Sequence, residues 1–156
     1  MAENENKVTS DSEVTLREVT EKTVRNICRL AVSNEQNKFV APNAVSIAEA
    51  YFSRYAWFRA IYADDTPVGF VMLYDDPEKP EYYLWRFMID VRYQKNGFGY
   101  RAMELLIKRV SSRPNATELL TSIVQEDGGP QAFYEKLGFK LTGDYESGEA
   151  VMRLEL

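Results

Sequence analysis

Apolar and polar positions alternate from Val14 to Val19, the two-residue period of a strand. Thr20 and Glu21 then open a stretch in which Val24, Ile27, Cys28 and Ala31 recur at offsets of three, four and seven, the stripe of an amphipathic helix. Cys28 lies on that stripe and reads as a small core residue rather than a reactive thiol. Residues 34–43 are irregular, with three asparagines and Pro42. Ser46 followed three residues later by Glu49 has capping-box spacing, which predicts a short helix running to about Arg54. Strands are predicted near Trp57–Ala63 and Val68–Tyr74, joined as a hairpin by Asp64-Asp65-Thr66-Pro67. Beyond the loop at 75–80, Tyr82 to Val91 is apolar on both faces, the mark of a central, buried strand.

From Gly97 the period becomes helical: Phe98, Ala102, Leu105, Leu106 and Val110 share a face, and Pro114-Asn115 enforces a stop. Leu119–Val124 reads as another strand. Pro130–Leu137 reads as a helix opened by proline and closed at Gly138. Phe139–Leu141 and Ala150–Leu156 are the closing strands, joined across Gly143 and Gly148. The order β-α-α-β-β-β-α-β-α-β-β predicts a single α/β domain with helices packed on one sheet.

Composition narrows the chemistry. A chain of 156 residues with 45% hydrophobic residues suits one domain with a sizeable core. No apolar run approaches the roughly 20 residues of a membrane helix, so no membrane partner is expected. Residues 1–12 are polar and acidic, without the apolar centre of a signal peptide. They read as a flexible N-terminus ahead of a domain at 13–156, in a cytoplasmic protein. A lone cysteine and no histidine exclude an internal disulfide and argue against a metal site. Net charge −5 disfavours nucleic acid as a partner and weakly favours a cationic substrate. Without histidine, acid–base chemistry falls to Tyr, Asp, Glu, Lys, Cys, a terminus or water.

The segment Arg92-Tyr-Gln-Lys-Asn-Gly-Phe-Gly-Tyr-Arg101 carries the sharpest chemical signal. A buried strand runs into a turn with two glycines separated by one residue, and the turn opens an amphipathic helix. Main-chain N–H groups at such a helix start favour phosphate. Gly97 and Gly99 let a diphosphate approach without a Cβ in the way, and Lys95 can add a charged contact. The dinucleotide fingerprint is not met, because Met103 stands at its third glycine, and the P-loop spacing is absent. From the residues alone the turn is either a phosphate cradle or a plain turn.

Gln94-Lys-Asn-Gly97-Phe-Gly99 resembles the Q/R-x-x-G-x-G/A element of the GNAT acetyltransferases, and Ala132-Phe-Tyr134-Glu-Lys-Leu-Gly138-Phe139 resembles that superfamily's second signature. The segments Phe39-Val-Ala-Pro-Asn43, Leu84-Trp-Arg-Phe-Met-Ile-Asp90 and Gly148-Glu-Ala-Val-Met-Arg153 are similar to bacterial spermine/spermidine acetyltransferases. The resemblance implies an α/β GNAT-like fold, a single mixed and mostly antiparallel central sheet flanked by helices. It also implies direct transfer of acetyl from acetyl-CoA to a small-molecule amine, a polyamine such as spermidine or spermine.

Residue by residue, the resemblance implies that the main chain of Phe87, Met88 and Ile89 pairs with pantetheine, with the Ile89 N–H polarising the thioester carbonyl. It places the diphosphate on Gln94, Lys95, Asn96, Gly97, Phe98, Gly99 and Tyr100, and adds Asp127 and Lys136 to the coenzyme contacts. Asp127 stands where many members carry asparagine. Tyr134 maps onto the tyrosine that protonates the departing thiolate. Some polyamine acetyltransferases place a glutamate on the central strand to deprotonate the amine; Trp85 stands at that position here, leaving Glu35 or Glu49, through water, as substitutes. Tyr83 and Trp85 are candidates to wall the amine site. Acetylation of protein N-termini or lysines, and a non-catalytic CoA-binding module, remain as alternatives. Homodimerisation follows from the superfamily's habit alone.

Overall fold

The structure, a computed structural model, describes residues 7–156. Chain order is β1 (Val14–Arg17), α1 (Val24–Arg29), α2 (Asn43–Tyr51), β2 (Ala56–Ala63), β3 (Thr66–Asp76), β4 (Glu81–Ile89), a 3₁₀ turn (Val91–Tyr93), α3 (Phe98–Ser111), β5 (Glu118–Ile123), α4 (Gln131–Lys136), β6 (Lys140–Glu146) and β7 (Glu149–Glu155). The seven strands form one sheet in the order β1-β2-β3-β4-β5-β7-β6, antiparallel throughout except for β4 and β5, which run parallel. This is the expected mixed, mostly antiparallel α/β sheet.

Strand alternation sends side chains to two cores. Ile61, Val71, Leu73, Leu84 and Leu119 meet Phe98, Met103 and Leu106 of α3 on one face. Ala60, Phe70, Met72 and Met88 meet Ile27, Leu30 and Ala50 from α1 and α2 on the other. The parallel pair makes only two register matches, Tyr83↔Leu120 and Leu84↔Thr121, and beyond them β4 and β5 part. Opposite β3, Met72 pairs with Arg86 and Leu73 with Leu84, so Trp85 is the extra residue of a β-bulge.

Several local expectations change. The helix predicted from Ser46 begins at Asn43, with Pro42 before it and no side-chain cap. Ser46 is buried inside α2 and donates to the Pro42 carbonyl at 3.4 Å, while Glu49 turns to Arg86, so the capping box does not form. Cys28 is half-buried rather than core, because α1 ends at Arg29 and Ile27 and Leu30 take the buried positions. Leu105 is 37% exposed, and Met103 fills its expected place in the core. The central strand ends at Ile89, since Asp90 caps the 3₁₀ turn and Val91 is exposed. The β2–β3 turn is the two residues Asp64-Asp65, with Pro67 already in β3.

The flexible start expected at 1–12 lies partly outside the described residues, at 1–6. Over 8–12 the chain is fastened: Val8 packs on the core, Ser12 is buried, and Arg101 donates to the carbonyls of Ser10 and Ser12 at 2.8 Å each. No helix among the described residues is long and apolar enough to cross a membrane, and they contain no acidic or cysteine cluster suited to a metal ion.

Candidate active site

Where β4 and β5 part, a cleft of about 1410 Å³ opens, floored by β4 and walled by α3, α4 and the loop between α1 and α2. The unpaired edge of β4 is its first feature. The Asp90 N–H donates back toward β3, to the Val68 carbonyl at 2.8 Å. Main-chain groups alternate sides along a strand, so Ile89 and Phe87 turn theirs toward the opening. The Ile89 carbonyl accepts from Gln94 Nε2 at 2.9 Å. Its N–H therefore faces the cleft. Gly69, opposite Ile89 in β3, allows this approach: a Cβ there would press on the Met88 carbonyl oxygen and lie 2.8 Å from Ile89 Cδ1.

The second feature is the start of α3. Gly97 holds the left-handed conformation before the helix, at φ 78°, and a Cβ there would meet nothing within 4 Å. The first intrahelical bond goes from Arg101 N–H to Gly97 O at 3.2 Å, which leaves the N–H groups of Phe98, Gly99 and Tyr100 to an outside partner. The Phe98 ring itself is core, 1% exposed, so this residue offers only its main chain. Gly99 sits under Phe87 and Phe133, whose rings stack at 5.6 Å.

Tyr134 on α4 is 6% exposed and lines the cleft between the edges of its neighbours Phe133 and Phe139. Burial pushes its phenol well above the usual range, against a smaller opposing pull from Thr121. It keeps its proton at neutral pH.

Of the residues singled out from sequence, Phe87, Met88, Ile89, Gln94, Lys95, Gly97, Phe98, Gly99, Tyr100, Tyr134 and Lys136 all line this cleft, as do Tyr83 and Trp85. Four stand apart. Asn96 spends its amide inside the turn, on the carbonyls of Tyr93 and Gln94. Asp127 is exposed outside the cleft wall, and Glu35 is exposed on the surface. Glu49 is held by Arg86 at 3.2 Å. Neither Glu35 nor Glu49 is among the residues lining the cleft.

Sequence reasoning missed two things. Gln36 exchanges amide hydrogen bonds with Gln94 at 2.9 and 3.2 Å, and Lys38 pairs with Glu126, so the α1–α2 loop is tied to both walls. The cleft also carries charge of both signs: Lys38, Arg86, Lys95 and Lys136 line it together with Glu81, Glu118, Glu146 and Glu149. No local pattern signals these carboxylates, because β5, β6 and β7 meet β4 only in the folded sheet.

The freed edge of β4, the N–H groups left open at the start of α3 and the buried Tyr134 phenol thus share one cleft. The acetyltransferase (GNAT) family matches residues 21–139, and the chain belongs to it. It is an acetyl-CoA-dependent N-acetyltransferase. It is similar to the spermine/spermidine N(1)-acetyltransferase of Bacillus subtilis (strain 168), at 28% identity over 92% of this chain and 99% of that protein. In fold it is similar to a domain from Methanocaldococcus jannaschii DSM 2661, with a TM-score of 0.75 and 16% identity over 94% of this chain and all of that one. It is likewise similar to the PaiA N-acetyltransferase of Thermoplasma acidophilum solved with coenzyme A, with a TM-score of 0.68 and 16% identity over 92% of this chain and 99% of that one.

Proposed function

We propose that the chain acetylates a primary amine of a polyamine such as spermidine or spermine. The observation that carries this reading is one continuous cleft that brings together the amide donors at the start of α3, the lysines Lys95 and Lys136, several carboxylates, and the β4 edge with Tyr134. The similarity to a spermine/spermidine acetyltransferase over nearly the whole chain supports it.

In this reading the N–H groups of Phe98, Gly99 and Tyr100, with Lys95 and Lys136, hold the diphosphate of acetyl-CoA, which supplies the activated acetyl group. The main chain of Phe87 and Ile89 pairs with the pantetheine amides, and the Ile89 N–H donates to the thioester carbonyl. Tyr134 gives its proton to sulfur as the carbon–sulfur bond breaks and the carbon–nitrogen bond forms. No acyl-enzyme is needed; holding both reactants in contact supplies much of the rate. Gln94 acts here as a positioning residue, since its amide is committed to Ile89 O and Gln36.

The test is thiol release from acetyl-CoA on adding spermidine or spermine to the pure protein, with calorimetry for the binding of coenzyme A. Turnover of polyamine supports the reading. Coenzyme binding without turnover of any amine sinks it.

A further inference from the structure

The loop between α1 and α2 packs on the opposite side of β4 from the groups given to the coenzyme. Val32 and Val40 sit with Trp85 and Met88 in the core covered by α1 and α2. Phe98, Phe133 and Tyr134 belong to the core beneath α3. With the coenzyme on the α3 and α4 side, the acceptor is left the side walled by Val32, Phe39, Val40 and Ala41 of this loop. Residues 31–42 form neither helix nor strand. A few polar ties, rather than a packed element, therefore set where that wall stands.

Gln36 makes the most extensive of these ties. Asn34, Glu35, Asn37 and Lys38 around it are exposed, whereas Gln36 is half-buried. Its amide and that of Gln94 exchange two hydrogen bonds: Gln94 Nε2 donates to Gln36 Oε1 at 2.9 Å, and Gln36 Nε2 donates to Gln94 Oε1 at 3.2 Å. Gln36 Oε1 also accepts from the Ser33 N–H at 3.2 Å, which closes the loop's own turn. Gln94 Nε2 donates in addition to the Ile89 carbonyl at 2.9 Å. A primary amide has two N–H hydrogens and one carbonyl, so Gln94 commits its whole side chain to the loop and to the end of β4. One hydrogen-bonded unit thus joins the acceptor-side wall, the residue that opens the glycine turn, and the strand edge at Ile89. The reciprocal pair forms only when loop and turn are both in place. A ligand that steadies one side lowers the cost of ordering the other, and such coupling acts equally in both directions.

We propose that Gln36 is a positioning residue for the transfer: through Gln94 it couples coenzyme binding at the glycine turn to the placing of the acceptor wall. This rests on the amine-acetylating reading above and deepens it, adding a residue that acts through another.

The test is calorimetry of coenzyme A binding with and without saturating spermidine, on the wild type, Gln36→Met and Gln36→Glu, with steady-state kinetics on each. Methionine keeps the length of the side chain and removes its amide. Glutamate keeps an acceptor for Ser33 and for Gln94 Nε2 but sets a carboxylate oxygen against Gln94 Oε1. In the wild type, spermidine tightens coenzyme A about tenfold. In both variants that ratio falls to within about twofold of unity and coenzyme A alone binds as before. The KM for spermidine at saturating acetyl-CoA then rises about tenfold. A glutamine that only helps the loop to fold gives another pattern, a lower Tm with the ratio kept. A wild-type ratio near unity, or a ratio that survives in both variants, overturns the proposal and leaves amine acetylation standing. Failure to turn over any amine, with coenzyme binding intact, sinks both.

Discussion

In the proposed reaction Tyr134 protonates the leaving sulfur, and its burial has two consequences. Replacing it with phenylalanine removes the donor to the leaving sulfur, so kcat is expected to fall about 10²–10⁴-fold with the KM for acetyl-CoA little changed. Steady-state kinetics checks this. Its raised pKa also ties it to stability at high pH. Below pH 10 the folded and unfolded chains both keep this proton; above it the unfolded chain loses the proton first, so the stability conferred by Tyr134 drains away as pH rises. Tyr134→Phe should therefore lose less stability than the wild type between neutral pH and pH above 10, measured by urea midpoints. Asp90 is the mirror case. Burial pushes its carboxyl up, but hydrogen bonds from the Arg92 side chain and from the N–H groups of Ala31 and Arg92 outweigh this and hold it below its ordinary value. Its contribution is present above the ordinary carboxylate range and lost as pH falls through the folded value. Asp90→Asn is expected to cost about 1–3 kcal/mol at neutral pH and to flatten the acid limb of the stability profile.

At the scale of elements, the site depends on how closely β3 lets β4 approach. Gly69→Ala would force a methyl group against the Met88 carbonyl, a backbone atom that cannot swing aside. Overpacking of this kind costs about 1–3 kcal/mol, and the displaced edge at Phe87–Ile89 should lower kcat more than it raises the amine KM. A thermal melt and steady-state kinetics together check it. Element boundaries also show where local pattern suffices. The α3 start is legible because Gly97, Phe98 and the apolar period after them lie within one turn of each other. The α2 start is not, because Ser46 and Glu49 satisfy a local spacing that tertiary partners override. Asn43 reaches Ile27 O at 2.9 Å and Arg86 takes Glu49 at 3.2 Å, and both draw the helix start back to Pro42. The strand expected to reach Val91 stops short for a similar reason. Asp90 turns the chain by accepting from Ala31, fifty-nine residues away.

For the whole molecule, the parting of β4 from β5 creates one cleft, which the proposed function gives to both reactants. A ligand that binds only the folded state stabilises it by mass action, about 2.7 kcal/mol at a hundredfold excess over Kd. Acetyl-CoA or coenzyme A at that level should raise Tm by about 5–10 °C for a chain of this size, read by differential scanning fluorimetry; no shift would count against the cleft as the coenzyme site.

The chain's own order of residues determined the types and succession of most elements, the glycine turn before α3, and the tyrosine before the Gly138-Phe139 pair. Each is encoded by neighbours a few positions apart, where periodicity and backbone preference act directly. Only the folded sheet decided that β4 and β5 touch at two residues and then separate, that Trp85 bulges, that Glu49 is spent on Arg86, and that Glu149 meets Ser122 beside Tyr83. Those meetings join residues of separate elements, 27 positions apart for Ser122 and Glu149 and 37 for Glu49 and Arg86. Their register is set by packing two cores at once, and no short stretch of the chain contains that information.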